Sequence, residues 1–379
     1  MFRHTWLARL VAITHRIVLL SKACIVGAYQ RKLEEIAAQP DIELVVIVPP
    51  YWREGDRCLP LEYAHTQGYN LVVAPVLFNG SFHTHFYPTL PALLRHLRPA
   101  LVHIDEEPYN LATYLALRAA RALGARTLFF TWQNLLRRYP VPFCQMESWV
   151  HARVDAALAG SVAAARVLRN KGYAGPLRVI PQFGVDPDTY RPAERSADVP
   201  FTVGYAGRLV AEKGVDTLLD AVAGLAGEWR LELFGSGDMK AALQIRAERL
   251  GIAGRTRFYD QIASGQMPGY LAQLDVLVLP SRTRPNWKEQ FGRVLIEAMA
   301  CGVAVVGSNS GEIPHVIGEG GLIFGEGDAA ALRDRLVTLQ NNVALRRDLG
   351  VKGRARVLAH YTQAQIARET VAFYREICR

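Results

Sequence analysis

Two carboxylates separated by seven residues are the feature of this sequence that most directly suggests chemistry. Glu289 and Glu297 lie on either side of Phe291-Gly292, and a buried-strand pattern at residues 276–279 ends shortly before them. This order predicts a loop that carries the first acid and a helix that carries the second, with free N–H groups near the glycine. A space lined in this way can bind polyol hydroxyls and an anion together.

The arrangement resembles the Glu-x7-Glu motif of the retaining glycosyltransferases of family 4, which have the GT-B fold. The resemblance continues through residues 302–314, Gly-Val-Ala-Val-Val-Gly-Ser-Asn-Ser-Gly-Glu-Ile-Pro, and back to residues 207–214, Gly-Arg-Leu-Val-Ala-Glu-Lys-Gly. It is strong over the C-terminal half and loose over the N-terminal half. A single Glu-x7-Glu would be weak evidence because helices are rich in Glu, but three segments in this order are specific.

The resemblance implies that the C-terminal domain binds a nucleotide-diphosphate sugar as donor substrate. Arg208 and Lys213 follow a predicted strand and would hold the diphosphate, where one preplaced cation typically contributes about 3–4 kcal/mol to transition-state stabilisation. Taken alone, the two cations are more typical of a surface pair neutralised by Glu212, and it is the downstream motif that favours the diphosphate role. Glu289 would bind sugar hydroxyls and Glu297 the ribose diol, since a carboxylate can accept two hydroxyl groups. The remaining donor-binding candidates are Gly27, Gly207, Gly235, Gly237, Gln261, Ile262, Phe291 and Gly292.

Two glycine patterns depart from known fingerprints. The segment Phe234-Gly-Ser-Gly-Asp238 suggests a dinucleotide site, but the third glycine of Gly-x-Gly-x-x-Gly would fall at Lys240. In the resembled family a similar Gly-x-Gly lines the nucleotide pocket. The family's base-seating turn usually contains a glycine where this sequence has Asp260, which leaves the base undetermined.

The family resemblance implies that the N-terminal domain binds the acceptor. Asp105, Glu106 and Glu107 end the fourth predicted strand, and three adjacent carboxylates there are costly unless they bind something or cap the next helix. Asp105 stands where the family often has a histidine close to the reacting carbon, so a base or orienting role is a hypothesis. Lys22, either a substrate contact or a solvated lysine, and Asn134 complete the acceptor-side candidates; the neighbouring Trp132 would stack on a sugar or be structural.

Composition limits the other possibilities. The chain has 379 residues, half of them hydrophobic, and a net charge of +9, which suits a phosphate-bearing substrate, an anionic membrane face or simple solubility. The cysteines are odd in number and widely spaced, which argues against a disulfide framework or zinc site and favours a cytoplasmic location. No run of about 18 apolar residues predicts a membrane span, although Arg3, Trp6 and Arg9 could contact a membrane peripherally.

Neither of two metal-like patterns supports a metal requirement. Asp186-Pro-Asp188 matches an Asp-x-Asp metal motif but falls in a predicted linker, and His83-Thr-His85 has no partner placed by spacing. Without a convincing metal site, and as the family resemblance implies, no metal or other cofactor is expected.

Short continuous apolar runs alternate with helical patterns along the whole chain, which is typical of parallel strands covered on both faces. The series restarts after Pro200. We therefore expect an α/β protein of GT-B type, with two doubly wound Rossmann-like domains facing a cleft. Residues 1–190 would form the acceptor domain and 191–360 the donor domain, and a helix at about 361–379 would return to the first.

These features predict a metal-independent, retaining glycosyltransferase that moves a sugar to a hydroxyl acceptor, such as a glycan, a lipid-linked sugar or a small molecule. One alternative keeps the fold but makes the enzyme a nucleotide-sugar 2-epimerase or hydrolase. A second alternative is a basic nucleic-acid-binding α/β protein. The basic residues are dispersed rather than interleaved with aromatic residues, so we expect no nucleic-acid partner.

Overall fold

The computed structural model describes residues 15–55, 57–194, 199–260, 262–263 and 265–379. Two parallel sheets, one in each half of the chain, account for nearly all strands. Arg3, Trp6, Arg9 and Gln261 lie outside the described residues, so the predictions made for them are not addressed by the structure.

The first sheet has seven strands in the order β5-β2-β1-β6-β7-β8-β9, all paired in parallel. Its strands are β1 His15–Leu20, β2 Ile42–Val48, β5 Asn70–Val73, β6 Leu101–Ile104, β7 Arg126–Thr131, β8 Ala156–Ala159 and β9 Leu177–Val179. The helices of this half are α1 Gly27–Ala37, α2 Leu90–Leu97, α3 Leu111–Ala122, α4 Phe143–His151 and α5 Val162–Asn170. Separate apolar clusters fill the two faces of the sheet, which explains why its strands are continuous apolar runs.

The second sheet has six strands in the order β12-β11-β10-β13-β14-β15, also parallel. Its strands are β10 Phe201–Ala206, β11 Trp229–Phe234, β12 Thr256–Tyr259, β13 Val276–Leu279, β14 Ala304–Ser308 and β15 Gly321–Phe324. The helices are α6 Val215–Ala223, α7 Lys240–Arg249, α8 Met267–Leu271, α9 Arg293–Ala300, α10 Ile313–Ile317, α11 Ala329–Asn341 and α12 Val343–His360. In both sheets the strand order reverses beside the first strand, the position where α/β proteins bind ligands.

The last helix, α13 Gln363–Cys378, lies on the first sheet rather than the second. Ile366, Val371 and Phe373 are buried in the core that also contains strands β1 and β2. Tyr374 OH lies 2.6 Å from Nδ1 of the buried His103 on β6. The chain therefore leaves the first domain near Val185 and returns beside it, where Val185 and Thr362 form a parallel bridge.

The expected α/β architecture of two Rossmann-like units is confirmed, and the predicted strands agree with the observed ones within a few residues. Three details were wrong or missed. The hairpin of β3 Tyr51–Glu54 and β4 Arg57–Pro60 was not predicted, nor was edge strand β15. The helix that carries Glu297, which the apolar pattern predicts over residues 290–300, begins only at Arg293, because Gly292 adopts a left-handed conformation with φ of 79°.

Among the helices that the structure describes, none is both long enough and apolar enough to cross a bilayer.

Candidate active site

A cavity of about 690 Å³ opens at the carboxyl edge of the second sheet. Gly207 after β10 and Leu279 at the end of β13 form part of its wall. Lys213, Glu289 and Glu297 line the same cavity. The edge of a parallel sheet thus brings Lys213 together with the two acids and Arg293, which come from a distant part of the sequence.

Glu289 is held in place by two donors. Its Oε2 accepts hydrogen bonds from Lys213 Nζ at 2.6 Å and from Ser281 Oγ at 2.8 Å. Glu289 is only 6% exposed, and the Lys213 ammonium also lies 4.9 Å from the centre of the Trp287 ring. Because both bonds go to Oε2, Oε1 is not committed by these contacts and can accept a hydroxyl.

Glu297 lies on α9 and belongs to a chain of contacts that reaches the first domain. Its Oε1 is 2.9 Å from Arg293 Nε, and the Arg293 Nη1 donates to Tyr29 OH at 2.7 Å. Burial raises the pKa of Tyr190 well above its usual value, and the nearby Glu297 carboxylate raises it further. Glu297 is therefore a buried carboxylate whose position depends on an arginine bound to helix α1.

The predicted glycines serve backbone geometry. A Cβ on Gly292, which lines the cavity, would lie 2.7 Å from Leu279 Cδ2 and would sit on a left-handed backbone. A Cβ on Gly235 would lie 2.0 Å from the carbonyl oxygen of Gly207, and one on Gly237 would lie 2.2 Å from that of Leu209. The Gly-x-Gly segment therefore lets two loops at the sheet edge approach each other closely.

The other donor-side predictions fall at different distances from the cavity. Ile262 lines it, whereas Arg208 is not among its lining residues and has a side chain that is 68% exposed. The Arg208 guanidinium lies 3.7 Å from Glu212, as the surface-pair alternative expected. Phe291 is not among the lining residues either, and its ring packs against Trp132 and Tyr361.

The three adjacent acids of the first domain point to three different sets of partners. Asp105 accepts hydrogen bonds from Ser21 Oγ at 2.6 Å and from Gln182 Nε2 at 2.8 and 2.9 Å. These contacts make Asp105 a buried junction between the end of β1 and the segment that leaves the first domain.

Glu106 forms an ion pair with Lys22 and lies 3.5 Å from Nε2 of the buried His85. Burial would raise the pKa of Glu106, but the charges of Lys22 and His85 outweigh it and lower that pKa to about 2. Lys22 also lies over the rings of Trp52 and Phe82. Lys22 is therefore a paired cation rather than a solvated one.

Glu107 borders a second, smaller cavity of about 180 Å³ between the two domains. Its carboxylate accepts hydrogen bonds from Thr131 Oγ1 at 2.6 Å and from the Trp132 N–H at 2.7 Å. Burial raises the pKa of Glu107 to about 7 in spite of these bonds. This carboxyl group therefore changes protonation near neutral pH.

Two further predicted residues are bonded to other parts of the protein, and one of them, Asn134, also lines the 180 Å³ cavity between the domains. The Gly27 N–H, at the start of α1, donates to Glu62 Oε2 at 2.6 Å, so a carboxylate of the protein occupies that helix N-terminus. Asn134 directs its amide across the domain interface, where Nδ2 donates to the carbonyl oxygens of Lys288 and Glu289 at 3.2 and 3.1 Å. The Trp132 Nε1 donates to Gln182 at 2.8 Å, a contact of the kind that the structural alternative predicts.

Ser281, Arg293 and Tyr190 contribute to the site but were not predicted. Ser281 directly follows Pro280 after β13, so the strand-end position was a usable indication. Arg293 lies four residues before Glu297 on a helix, a spacing at which opposite charges pair. Tyr190 lies in the linker, and no local pattern marks it.

In the described parts of the chain, no three His, Cys, Asp or Glu side chains are grouped so that they could hold a metal ion. The Asp186 side chain accepts hydrogen bonds from the Asp188 N–H at 3.0 Å and from Thr189 Oγ1 at 3.3 Å. This turn accounts for the Asp-x-Asp pattern.

Two protein families match successive parts of the chain. "Glycosyltransferase Family 4" matches residues 31–189, and "Glycosyl transferases group 1" matches residues 186–356. The junction between them coincides with the passage of the chain from the first sheet to the second.

Curated relatives include two proteins of Mycobacterium tuberculosis. The alpha-maltose-1-phosphate synthase is 29% identical over 269 residues, 62% of this chain and 67% of the synthase. The GDP-mannose-dependent alpha-(1-6)-phosphatidylinositol monomannoside mannosyltransferase is 31% identical over 225 residues, 54% of this chain and 57% of the relative. The chain thus spans about half to two thirds of the length of these relatives.

Solved structures share the fold over almost the whole chain. Sucrose-phosphate synthase from Thermosynechococcus elongatus has a TM-score of 0.72 at 22% identity and covers 96% of this chain and 99% of its own. Anabaena HepE in complex with UDP has a TM-score of 0.71 at 17% identity and covers 96% and 100%. The two family models match in order along the chain, the fold has two parallel sheets, and Glu289 and Glu297 lie at the carboxyl edge of the second sheet. The chain therefore belongs to the family 4 type of glycosyltransferases with the GT-B fold.

Proposed function

We propose that the protein transfers a sugar from a nucleotide-diphosphate sugar to a hydroxyl acceptor, with retention of configuration and without a required metal. The donor occupies the 690 Å³ cavity of the second domain, and the acceptor approaches from the first domain. The observation that supports this proposal best is the convergence of Lys213, Glu289 and Glu297 on that single cavity.

Each side chain has chemistry that suits one part of such a donor. Lys213 supplies positive charge where negative charge grows on the leaving phosphate oxygen. Glu289, with Oε1 not used by Lys213 or Ser281, accepts sugar hydroxyls, and Glu297 accepts the ribose diol. The left-handed turn at Gly292 brings the start of α9 close to the ligand, with its N–H groups directed at an anion.

Because the Arg208 side chain is exposed, its proposed role depends on whether the donor is bound. Its neighbour Gly207 lines the cavity, so a rotation of the long side chain would bring the guanidinium towards a bound diphosphate. We propose that Arg208 joins the site only when the donor is bound. Asp105 has no contact with the second domain among its hydrogen bonds, and we propose that it orients the acceptor side rather than reacting itself.

A panel of nucleotide sugars, including GDP-mannose and UDP-glucose, tests the proposal by thermal shift. A donor at 100 times its dissociation constant stabilises the fold by about 2.7 kcal/mol, which is readily measured. Lys213→Met should abolish the shift, while Lys352→Met, on an exposed pair with Asp348 that does not line the cavity, should preserve it. A panel without any stabilising nucleotide sugar would contradict the proposal.

Product analysis separates transfer from the alternatives. With donor alone, a 2-epimerase forms the isomeric sugar nucleotide and a hydrolase forms free sugar, whereas a transferase requires an added acceptor for rapid turnover. The anomeric proton coupling of the product reports retention or inversion. Turnover that persists in excess EDTA supports metal independence, and its loss would contradict it.

A further inference from the structure

The loop that carries Glu289 is bound from its outer side by the first domain. This loop runs from Ser281 to Gly292 without a helix or named strand, and the backbone bonds that it makes to itself join Arg284 to Trp287, before Lys288 and Glu289. Asn134, which follows β7 of the first sheet and is 6% exposed, donates from Nδ2 to the carbonyl oxygens of Lys288 and Glu289. One buried amide thus holds two successive peptide groups of the loop.

The Glu289 carbonyl is also tied to the first domain by a second route. It accepts a hydrogen bond from the Glu312 N–H at 3.3 Å. The Glu312 carboxylate in turn accepts from the N–H groups of Val162 and Ala163, at the start of α5, at 3.1 and 3.4 Å. The Glu289 carbonyl therefore accepts one bond directly from the first domain and one from a second-domain residue whose side chain is bonded to the first domain.

We propose that Asn134 is a positioning residue that fixes the Glu289 carboxylate through the backbone of residues 288 and 289. This inference rests on the proposed function. Contact between the domains then does more than exclude water from the cleft, because it completes the geometry of the donor site. A loop residue loses backbone entropy when it is fixed, and the Asn134 amide supplies part of the compensating energy.

Other contacts at the same interface do not reach the Glu289 peptide. Gln290 Nε2 donates in the opposite direction, to the carbonyl oxygen of Trp132 at 3.1 Å. Arg137 donates to the carbonyl oxygen of Asn286. Gln290→Ala therefore removes a neighbouring interdomain bond without removing a bond to the Glu289 carbonyl, and it is the matched control.

The test uses the full chain and whichever nucleotide sugar of the panel binds the wild type. We expect Asn134→Ala to lower the rate of nucleoside diphosphate release without acceptor at least about tenfold, because small misplacements of a catalytic group are costly. Asn134→Asp has the same shape but places a carboxylate against two carbonyl oxygens, so its loss should be at least as large. Binding of the nucleoside diphosphate alone should stay within about twofold, because Asn134 does not line the donor cavity.

Three results would overturn the inference. A rate within about threefold of wild type in Asn134→Ala would show that the amide does not position Glu289. An equal loss in Gln290→Ala would show that domain contact in general, not this bond, is what matters. Unchanged donor hydrolysis with a raised acceptor KM would make Asn134 an acceptor-binding residue. If the wild type binds no nucleotide sugar, the proposed function is contradicted. If the wild type turns over normally and Asn134→Ala is unaffected, only the role of Asn134 is contradicted.

Discussion

The Lys213–Glu289 pair is predicted to act as one catalytic unit. The two side chains are 15% and 8% exposed, and Nζ and Oε2 are 2.6 Å apart. Lys213→Met or Glu289→Gln leaves one buried polar group without its partner. Each single variant should therefore lose the transition-state stabilisation that the replaced side chain provides. It should also lose part of the stabilisation from the remaining partner, which is no longer held in position.

The magnitude follows from the separation and the burial. At 2.6 Å and an effective dielectric constant of 20, the attraction between the two charges is about 6 kcal/mol. Desolvation cancels much of this, and removal of one partner of a buried pair typically costs about 3–5 kcal/mol. We expect each single variant to lower kcat/KM by about 10² to 10³, and the double variant to be no more than about threefold worse than the poorer single variant.

The assay is steady-state release of the nucleoside diphosphate from the wild type, both single variants and the double variant. Lys352→Met is the control, since its 2.7 Å pair with Asp348 does not line the cavity and both side chains are about half exposed. Such surface pairs contribute about 0–1 kcal/mol, so this control should change the rate little. Losses that multiply in the double variant, to about 10⁴ or more, would show that the two groups act independently and would refute the reasoning.

Three further variants test other parts of the site. The pKa of Glu107 is raised to about 7, so its contribution to stability is present below its unfolded value of about 4.5 and is lost as pH rises through 7. The free energy of unfolding of Glu107→Gln should therefore increase relative to wild type between pH 5 and 8, by up to roughly 3 kcal/mol, which thermal melts at each pH would measure. A difference independent of pH would contradict this. Glu106→Gln removes the charged partner of Lys22, whose side chain is 17% exposed. It should lower the melting temperature of the lowest-temperature unfolding transition by roughly 6–12 °C. A decrease of less than about 2 °C would mean that the pair contributes little to stability. Gly292→Ala introduces a Cβ 2.7 Å from Leu279 and should weaken nucleoside diphosphate binding in titration calorimetry, whereas affinity equal to wild type would show that the turn tolerates the strain.

The sequence by itself determined the class of fold and the edge where the donor site lies. Continuous apolar runs predict parallel strands, because burial of both faces is a property that each strand carries in its own residues. The acids of the Glu-x7-Glu motif and Gly292 were also identifiable, since a loop and a helix start are set by neighbours in the chain. These features depend on residues that are close in sequence, and Glu289, Gly292 and Glu297 line the cavity at the carboxyl edge of the second sheet.

Only the tertiary structure decided what the individual polar side chains contact. Asp105 and Glu106 are adjacent in sequence, yet one is bonded to Ser21 and Gln182 and the other to Lys22. Asn134 looked like an acceptor residue and instead bonds a loop 155 residues further along the chain. A side chain on an irregular loop takes its direction from partners brought near by folding, and the free energy of a buried charge depends on those partners, so neither can be obtained from the neighbouring letters.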